Sequence, residues 1–206
     1  MYLLSICIPT FNRAKNLKAM LDSIKPHSNI EIVICDDGST DKTREVVMSF
    51  IKKHNIKYIY QKNSGVSAAI AKAYNHALGE YVIKMDSDDL FMDNGLDFIL
   101  ETLKNNQEHF AFLFGVKTIN KKIHSKNLPP LGITNFISVR ADYKVKGDLK
   151  EIVRREIVLK YMYKIPNKVK RIPPSLLWVK IAEDYNCFSF NKAVAIKNYL
   201  DDGITS

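Results

Sequence analysis

Apolar runs of strand length alternate with helix-patterned segments through the first hundred residues, and this rhythm restricts the folds open to the chain. Leu3 to Ile8 is an apolar run followed by Leu17, Met20, Leu21 and Ile24 at helical spacing. Ile30-Glu31-Ile32-Val33-Ile34-Cys35 predicts a second strand, and Asp37-Gly38-Ser39-Thr40-Asp41 signals a turn and cap before the helical set Val46, Val47, Phe50 and Ile51. Lys57 to Tyr60 predicts a third strand. A loop at Asn63-Ser64-Gly65 then leads into a helix through Ala69, Ile70, Ala73, Ala77 and Leu78, ended by Gly79. Tyr81 to Met85 predicts a fourth strand, and Leu96, Ile99, Leu100 and Leu103 the helix after it. Strands separated by helices in this way imply an α/β fold with a mainly parallel sheet covered on both faces.

Ligands of such sheets bind beyond the carboxyl ends of the strands. Three polar clusters fall there: Pro9-Thr10-Phe11-Asn12-Arg13, Asp36-Asp37-Gly38-Ser39 and Asp86-Ser87-Asp88-Asp89. The last sets three carboxylates beside a buried strand, where each repels its neighbours and loses water unless cations or donors compensate. Two readings are open for it. One is a site for a hard divalent cation, which prefers oxygen ligands and shares its remaining positions with phosphate. The other is an acidic turn leading into a helix N-capped by Asp93.

The second half is less regular. Phe110 to Val116 predicts a strand, Asn120-Lys121-Lys122 a hairpin turn, and Asn127 to Gly132, with Pro129 and Pro130, a break. Helices are expected within Lys150 to Tyr163 and from Ser175 to Tyr185, the latter burying Leu176, Leu177 and Ile181. Without internal repeats or a low-complexity linker, the simplest partition of the 206 residues is one domain, regular over 1–117 and irregular over 118–206.

Composition narrows the function classes. No apolar run approaches bilayer length, and the apolar opening from Met1 lacks a basic leader and meets Pro9 too soon for a signal peptide. Cys7 and Cys35 sit in strand-like runs as small hydrophobes, which favours a reducing, cytoplasmic setting. No Cys/His cluster has zinc-ligand spacing, so a metal here would be held by oxygen. The net charge of +9 concentrates between Lys144 and Arg171, where ten Lys/Arg face Asp148, Glu151 and Glu156. That stretch suits an anionic membrane or substrate, or else a solvated surface, since its basic residues share no helical face. It contains no nucleic-acid recognition module. A dinucleotide-dependent oxidoreductase is excluded by the lack of any glycine before Gly38, and a sugar nucleotidyltransferase by the lack of a Gly-rich basic loop after the first strand.

In order and spacing, Pro9-Thr10-Phe11-Asn12-Arg13, Asp36 to Asp41, Asn63-Ser64-Gly65-Val66-Ser67 and Gly79 to Asp89 resemble family 2 glycosyltransferases of the GT-A fold. Gly147-Asp148, Val153 to Glu156, Leu177-Trp178 and Tyr199-Leu200-Asp201-Asp202-Gly203 resemble a bacterial cell-surface glycan subgroup of that family. The resemblance implies that 1–117 is a nucleotide-sugar-binding half and 118–206 an acceptor-side half. It implies inverting transfer from a nucleotide-sugar, usually a UDP-sugar, to a glycan or lipid-linked acceptor, at the cytoplasmic face of a bacterial membrane. Pro9, Thr10, Asn12 and Arg13 would line the nucleotide pocket, Asp37 would accept a hydrogen bond from the base, and Lys72 would reach phosphate. Asp86-Ser87-Asp88 matches the DxD element: Asp86 and Ser87 lie toward the donor, and Asp86 and Asp88 toward Mn²⁺ or Mg²⁺. Asp89 is expected to be structural.

Three departures bear on activity. The family places a Glu general base just before the helix carrying Leu177-Trp178, but this chain has Pro174 there, and proline transfers no proton. Asp148, in the Gly-Asp element, is the substitute the sequence offers. The helix after Gly65 reads Ile70-Ala71-Lys72-Ala73 in place of the family's Arg-Asn or Asn-Lys-Gly, so some donor contacts are expected to be missing. The sequence given ends at Ser206, where the family pattern continues into helices, which fits a shortened acceptor side. The alternative to an active transferase is a nucleotide-sugar-binding protein with weak or no catalysis.

Overall fold

The computed structural model describes residues 1–120, 122, 125–166 and 169–197. The predicted alternation is present: β1 (Leu4–Thr10), α1 (Ala14–Asp22), β2 (Ile30–Asp36), α2 (Thr43–Phe50), β3 (Ile56–Tyr60), α3 (Val66–His76) and β4 (Tyr81–Lys84). A short β5 (Leu90–Phe91), α4 (Gly95–Asn105) and β6 (Ala111–Thr118) follow. The remainder is β7 (Gly132–Thr134), α5 (Phe136–Ala141), β8 (Lys150–Arg154), α6 (Arg155–Tyr161), α7 (Ser175–Ala182) and β9 (Cys187–Lys197).

Strand order is β3-β2-β1-β4-β8-β6-β9-β5, with β7 paired to β9. The strands β3, β2, β1, β4, β6 and β9 run one way, and β8, β5 and β7 run against them. Alternation along each strand feeds two cores. Leu4, Ile6, Ile8, Ile30, Ile32 and Ile34 pack under α1, α2 and α4, while Cys7, Val33, Cys35 and Val153 pack under α3, α5, α6 and α7. All three cysteines are buried and free.

The second half departs from expectation in specific ways. The helix expected within Lys150 to Tyr163 begins only at Arg155, because Ile152 and Val153 fill opposite faces of the sheet in the slot between β4 and β6. Leu176, expected on the buried face of α7, is exposed, whereas Leu177 and Ile181 are buried. Asn94, in a left-handed conformation, caps α4 where Asp93 was a candidate. The long β9 carries Asn191 and Lys192 mid-strand, which hid it from a periodicity reading. Thr118 N–H donates to the Lys122 carbonyl at 2.9 Å, as a turn at 120–122 requires. The Tyr199 to Gly203 motif lies outside the described residues.

Two polar contacts join distant segments. Buried Glu31 accepts from Ser5 Oγ at 2.6 Å, Leu78 N–H at 2.5 Å and Gly79 N–H at 3.0 Å, which fixes how the chain enters β4. Gly65, at φ +97°, lets the 169–172 segment lie against the start of α3: a Cβ there would sit 2.3 Å from the Lys170 carbonyl oxygen. Ile172 N–H donates to Ser67 Oγ at 2.7 Å and secures the same contact. Gly65→Ala is therefore expected to undock this segment, with a loss of about 1–3 kcal/mol in urea-denaturation stability and faster proteolysis within 169–174.

Candidate active site

Strand direction determines which residues meet. The parallel strands β1, β2 and β4 deliver Thr10, Asp37 and Asp86 to one edge. Because β8 runs the other way, its first residue, Lys150, and the preceding Asp148 stand at that edge, as does Lys197 at the end of β9. A cavity of about 910 Å³ opens there, lined among others by Pro9, Thr10, Asn12, Arg13, Asp37, Asp86, Ser87, Asp88 and Asp148. Of the residues singled out in the sequence, Lys72 alone does not line it. At about 100° per residue, Ile70, Ala71 and Tyr74 of α3 face the cavity while Lys72 falls on the opposite side of the helix. The basic groups that do line it are Arg13, Lys84, Lys170, Arg171 and Lys197, and four of these were not singled out in the sequence.

Asp37 organises the first wall. Its buried carboxylate accepts from Gln61 Nε2, Ser64 N–H and Gly65 N–H, each at 2.8 Å. A carboxylate has about four acceptor positions, so these three donors leave about one for a ligand. Asn12, at φ +50°, joins the β1 and β2 loops: its N–H donates to Ser39 Oγ at 2.8 Å and its Oδ1 accepts from Thr40 N–H at 2.8 Å. Thr10 Oγ1 is buried without a hydrogen-bond partner among the described residues. A buried hydroxyl left in that state fits a ligand-facing role better than a packing one.

The acidic turn forms the second wall. Asp89 is fully buried and paired with Lys150 Nζ at 2.6 Å. Burial works against the Lys150 ammonium, yet Asp89 and Asp86 hold its pKa above the usual lysine value. Asp86 receives Lys84 Nζ on Oδ1 at 2.5 Å and Lys197 Nζ on Oδ2 at 3.2 Å. Burial opposes its ionisation, but Lys84, Lys197 and Lys150 hold its carboxyl well below the usual carboxylate range. Asp88 is shifted the other way, upward, by burial and by the charges of Asp86 and Asp89.

That contrast tests the fit of a divalent cation. Asp88 is a pocket-lining carboxylate short of positive charge, and a hard cation supplies it. Each oxygen of Asp86 already receives an ammonium, so a cation there would compete with Lys84 or Lys197 for its charge. Among the described residues no three His, Cys, Asp or Glu side chains form a ready-made metal cage, so the donor set suits a cation that shares its positions with water and phosphate.

Pro174, where the sequence resemblance predicts a Glu, stands at the N-terminus of α7 and lines the cavity. Outside Asp37, Asp86 and Asp88, the lining carboxylate among the described residues is Asp148, which lies 3.3 Å from Lys197 Nζ. Glu151 was not anticipated. Burial pushes its pKa up to about 7, but it does not line the cavity and touches no substrate position there.

A mainly parallel sheet covered on both faces, with an Asp-x-Asp turn and an Asp-Gly loop meeting at its carboxyl edge, defines a GT-A type of nucleotide-sugar fold. Residues 5–151 match the family model described as Glycosyl transferase family 2, and the chain belongs to that family. It is 37% identical over 112 residues, 52% of its length, to an uncharacterized glycosyltransferase of Rickettsia conorii. It is 27% identical over 203 residues to WfgD of Escherichia coli, a UDP-Glc:alpha-D-GlcNAc-diphosphoundecaprenol beta-1,3-glucosyltransferase, covering 96% of this chain and 77% of that one. The chain spans only 18% and 20% of the length of the first two curated relatives it matches. Residues 1–349 of Staphylococcus aureus TarS, in complex with UDP-GlcNAc, superpose with a TM-score of 0.84 at 22% identity, covering 98% of this chain and 60% of that one.

Two measurements follow from the buried charges. Lys150→Met removes the close partner of Asp89, leaving it the longer Lys197 contact at 3.7 Å, and is expected to lower stability by about 3 kcal/mol, whereas the double variant Lys150→Met/Asp89→Leu recovers most of the loss in chemical denaturation. For Glu151, the native pKa of about 7 lies above the ordinary glutamate value of 4.5, so the folded state holds more protons between them. Its contribution to stability therefore falls as pH rises from 4.5 through 7. Glu151→Gln is expected to flatten the stability profile over that window and to be more stable than the wild type above it.

Proposed function

We propose that this chain is an inverting glycosyltransferase that moves a sugar from a UDP-class nucleotide-sugar to a surface-glycan or lipid-linked acceptor, assisted by Mn²⁺ or Mg²⁺. The observation that carries this reading is the convergence of Thr10, Asp37, Asp86 and Asp88 on one cavity beyond the carboxyl ends of β1, β2 and β4. Asp37 has an acceptor position left for the uracil N–H, with Pro9, Thr10, Asn12 and Arg13 beside it for the nucleoside. Asp88, joined by Asp86, would hold the cation, which when bound neutralises the diphosphate and stabilises it as a leaving group. Lys84, Lys170, Arg171 and Lys197 add positive potential for the same diphosphate, and Ser87 lies between the two aspartates toward the donor. WfgD is named for a UDP-Glc donor and a diphosphoundecaprenol-linked acceptor, and the TarS structure holds UDP-GlcNAc. Both support a UDP-sugar donor, and the first supports a lipid-linked acceptor.

In this reading Asp148 takes the proton from the acceptor hydroxyl, because it is the lining carboxylate outside the donor motifs among the described residues. The working place is the cytoplasmic side of a bacterial membrane, where the exposed Lys144, Lys146, Lys160 and Lys164 of the 144–171 stretch can meet anionic lipid. No helix among the described residues is long and apolar enough to cross a membrane. Residues 1–117 serve as the donor half and 118–206 as the acceptor half of a single domain.

A second reading, donor binding without efficient transfer, is favoured by Pro174 at the pocket wall. Calorimetric titration with UDP-glucose and UDP-GlcNAc, with and without Mn²⁺, is paired with transfer to a GlcNAc-diphospholipid. Metal-promoted binding with turnover is expected. Asp148→Asn is expected to retain UDP affinity while lowering turnover by about 10²–10⁴-fold. Binding without turnover in the wild type would select the second reading, and no UDP-sugar binding with Mn²⁺ would overturn both.

A further inference from the structure

The acidic turn already contains a cation supplied by the chain. Lys197 Nζ lies 3.2 Å from Asp86 Oδ2, 3.3 Å from Asp148 Oδ2 and 3.7 Å from Asp89 Oδ1. Its side chain is 14% exposed, and it lines the same cavity as Asp86 and Asp88. The register of β9 brings it there: β5, which follows the acidic turn directly, pairs Leu90 with Ile196, so Lys197 is carried back over Asp86 and Asp89. Lys84 takes the other oxygen of Asp86 at 2.5 Å. A metal ion that uses Asp86 therefore meets an ammonium beside either oxygen and competes with it for the carboxylate charge, at a cost set by close charges in a partly dry site.

We infer that Lys197 is an internal counter-cation that competes with the divalent metal for Asp86, so that the protein binds metal weakly until the nucleotide diphosphate arrives with it. This rests on the reading that Asp86 and Asp88 face a donor-bound cation. The ammonium offsets the mutual repulsion of the carboxylates when the pocket is empty. A diphosphate compensates for moving it in two ways: it adds ligand oxygens for the metal, and it offers the displaced ammonium an anionic partner. Metal and nucleotide then strengthen each other's binding by the same factor, as linkage requires. Among the described residues no ammonium forms an ion pair with Asp88, which lines the same cavity and serves as the first anchor.

The test is Mn²⁺ binding, read by electron paramagnetic resonance of the free ion and by calorimetry, for the full chain with and without UDP. Wild type is expected to bind Mn²⁺ weakly alone and tightly with UDP. Lys197→Met is expected to bind Mn²⁺ alone about tenfold or more tighter and to show a correspondingly smaller gain from UDP. Lys197→Gln provides the same readout if the Met variant does not fold, and Lys197→Arg, which keeps the charge, is expected to resemble wild type. Lys192→Met removes the same charge from β9 where its ammonium lies over the Phe98 ring, 3.5 Å from the centroid, and is expected to change nothing. The inference is overturned if wild type binds Mn²⁺ with UDP but the Met and Gln variants gain no affinity without it, or if Lys192→Met gains equally. Absence of Mn²⁺ binding to every variant, with or without UDP, would instead remove the metal reading on which it rests.

Discussion

Charge balance at the end of β4 is the constraint around which the two halves of the molecule are joined. Asp86, Asp88 and Asp89 follow one buried strand within four residues, and a sheet edge of this kind does not hold them without nearby cations. The cations come from three strands: Lys84 from β4 itself, Lys150 from the start of β8 and Lys197 from the end of β9. Only an antiparallel β8 places its first residue at that edge, and only a β9 parallel to β6 ends there. The mixed sheet of the second half is thus tied to the acidic turn by ion pairs as well as by its apolar packing.

The same edge explains why the loops after β1, β2 and β3 behave as one unit. Asp37 is spent mostly on Gln61, Ser64 and Gly65, and Asn12 on Ser39 and Thr40. Gly65 in turn receives the Lys170 backbone. A change at the Asp37 wall therefore propagates to the 169–172 segment that lines the cavity, through hydrogen bonds and one glycine contact that no larger residue can make.

Much of this was legible in the sequence because the first half obeys local rules. Strand runs such as Ile30 to Cys35, and turns such as Asp37-Gly38, carry their own signals, and parallel topology then forces their ends together. The helix expected within Lys150 to Tyr163 is present as Arg155–Tyr161, but the strand ahead of it was not legible in the sequence because the slot between β4 and β6, a tertiary effect, decides residues 150–154. Lys197 had no local signal at all: a lysine at the end of a strand interrupted by Asn191 and Lys192 acquires meaning only through the pairing of β5 with β9. Lys72 shows the converse, a residue of suitable chemistry in the matching helix but on its far side. The basic 144–171 stretch dissolves as one surface for a similar reason. Lys150 is buried against Asp89, Arg154 binds Glu80 and the Gln107 carbonyl, and Lys170 and Arg171 reach the cavity.

Lys197 also links the two sides of the proposed reaction. Its ammonium contacts Asp86 on the donor side and Asp148 on the acceptor side, 3.2 Å and 3.3 Å away. An ammonium held against a carboxylate favours its ionised form and makes it a poorer proton acceptor. If donor and metal draw Lys197 away from Asp86, the geometry that holds it on Asp148 is loosened by the same movement. Donor binding and the ion pair at Asp148 are then coupled through one side chain.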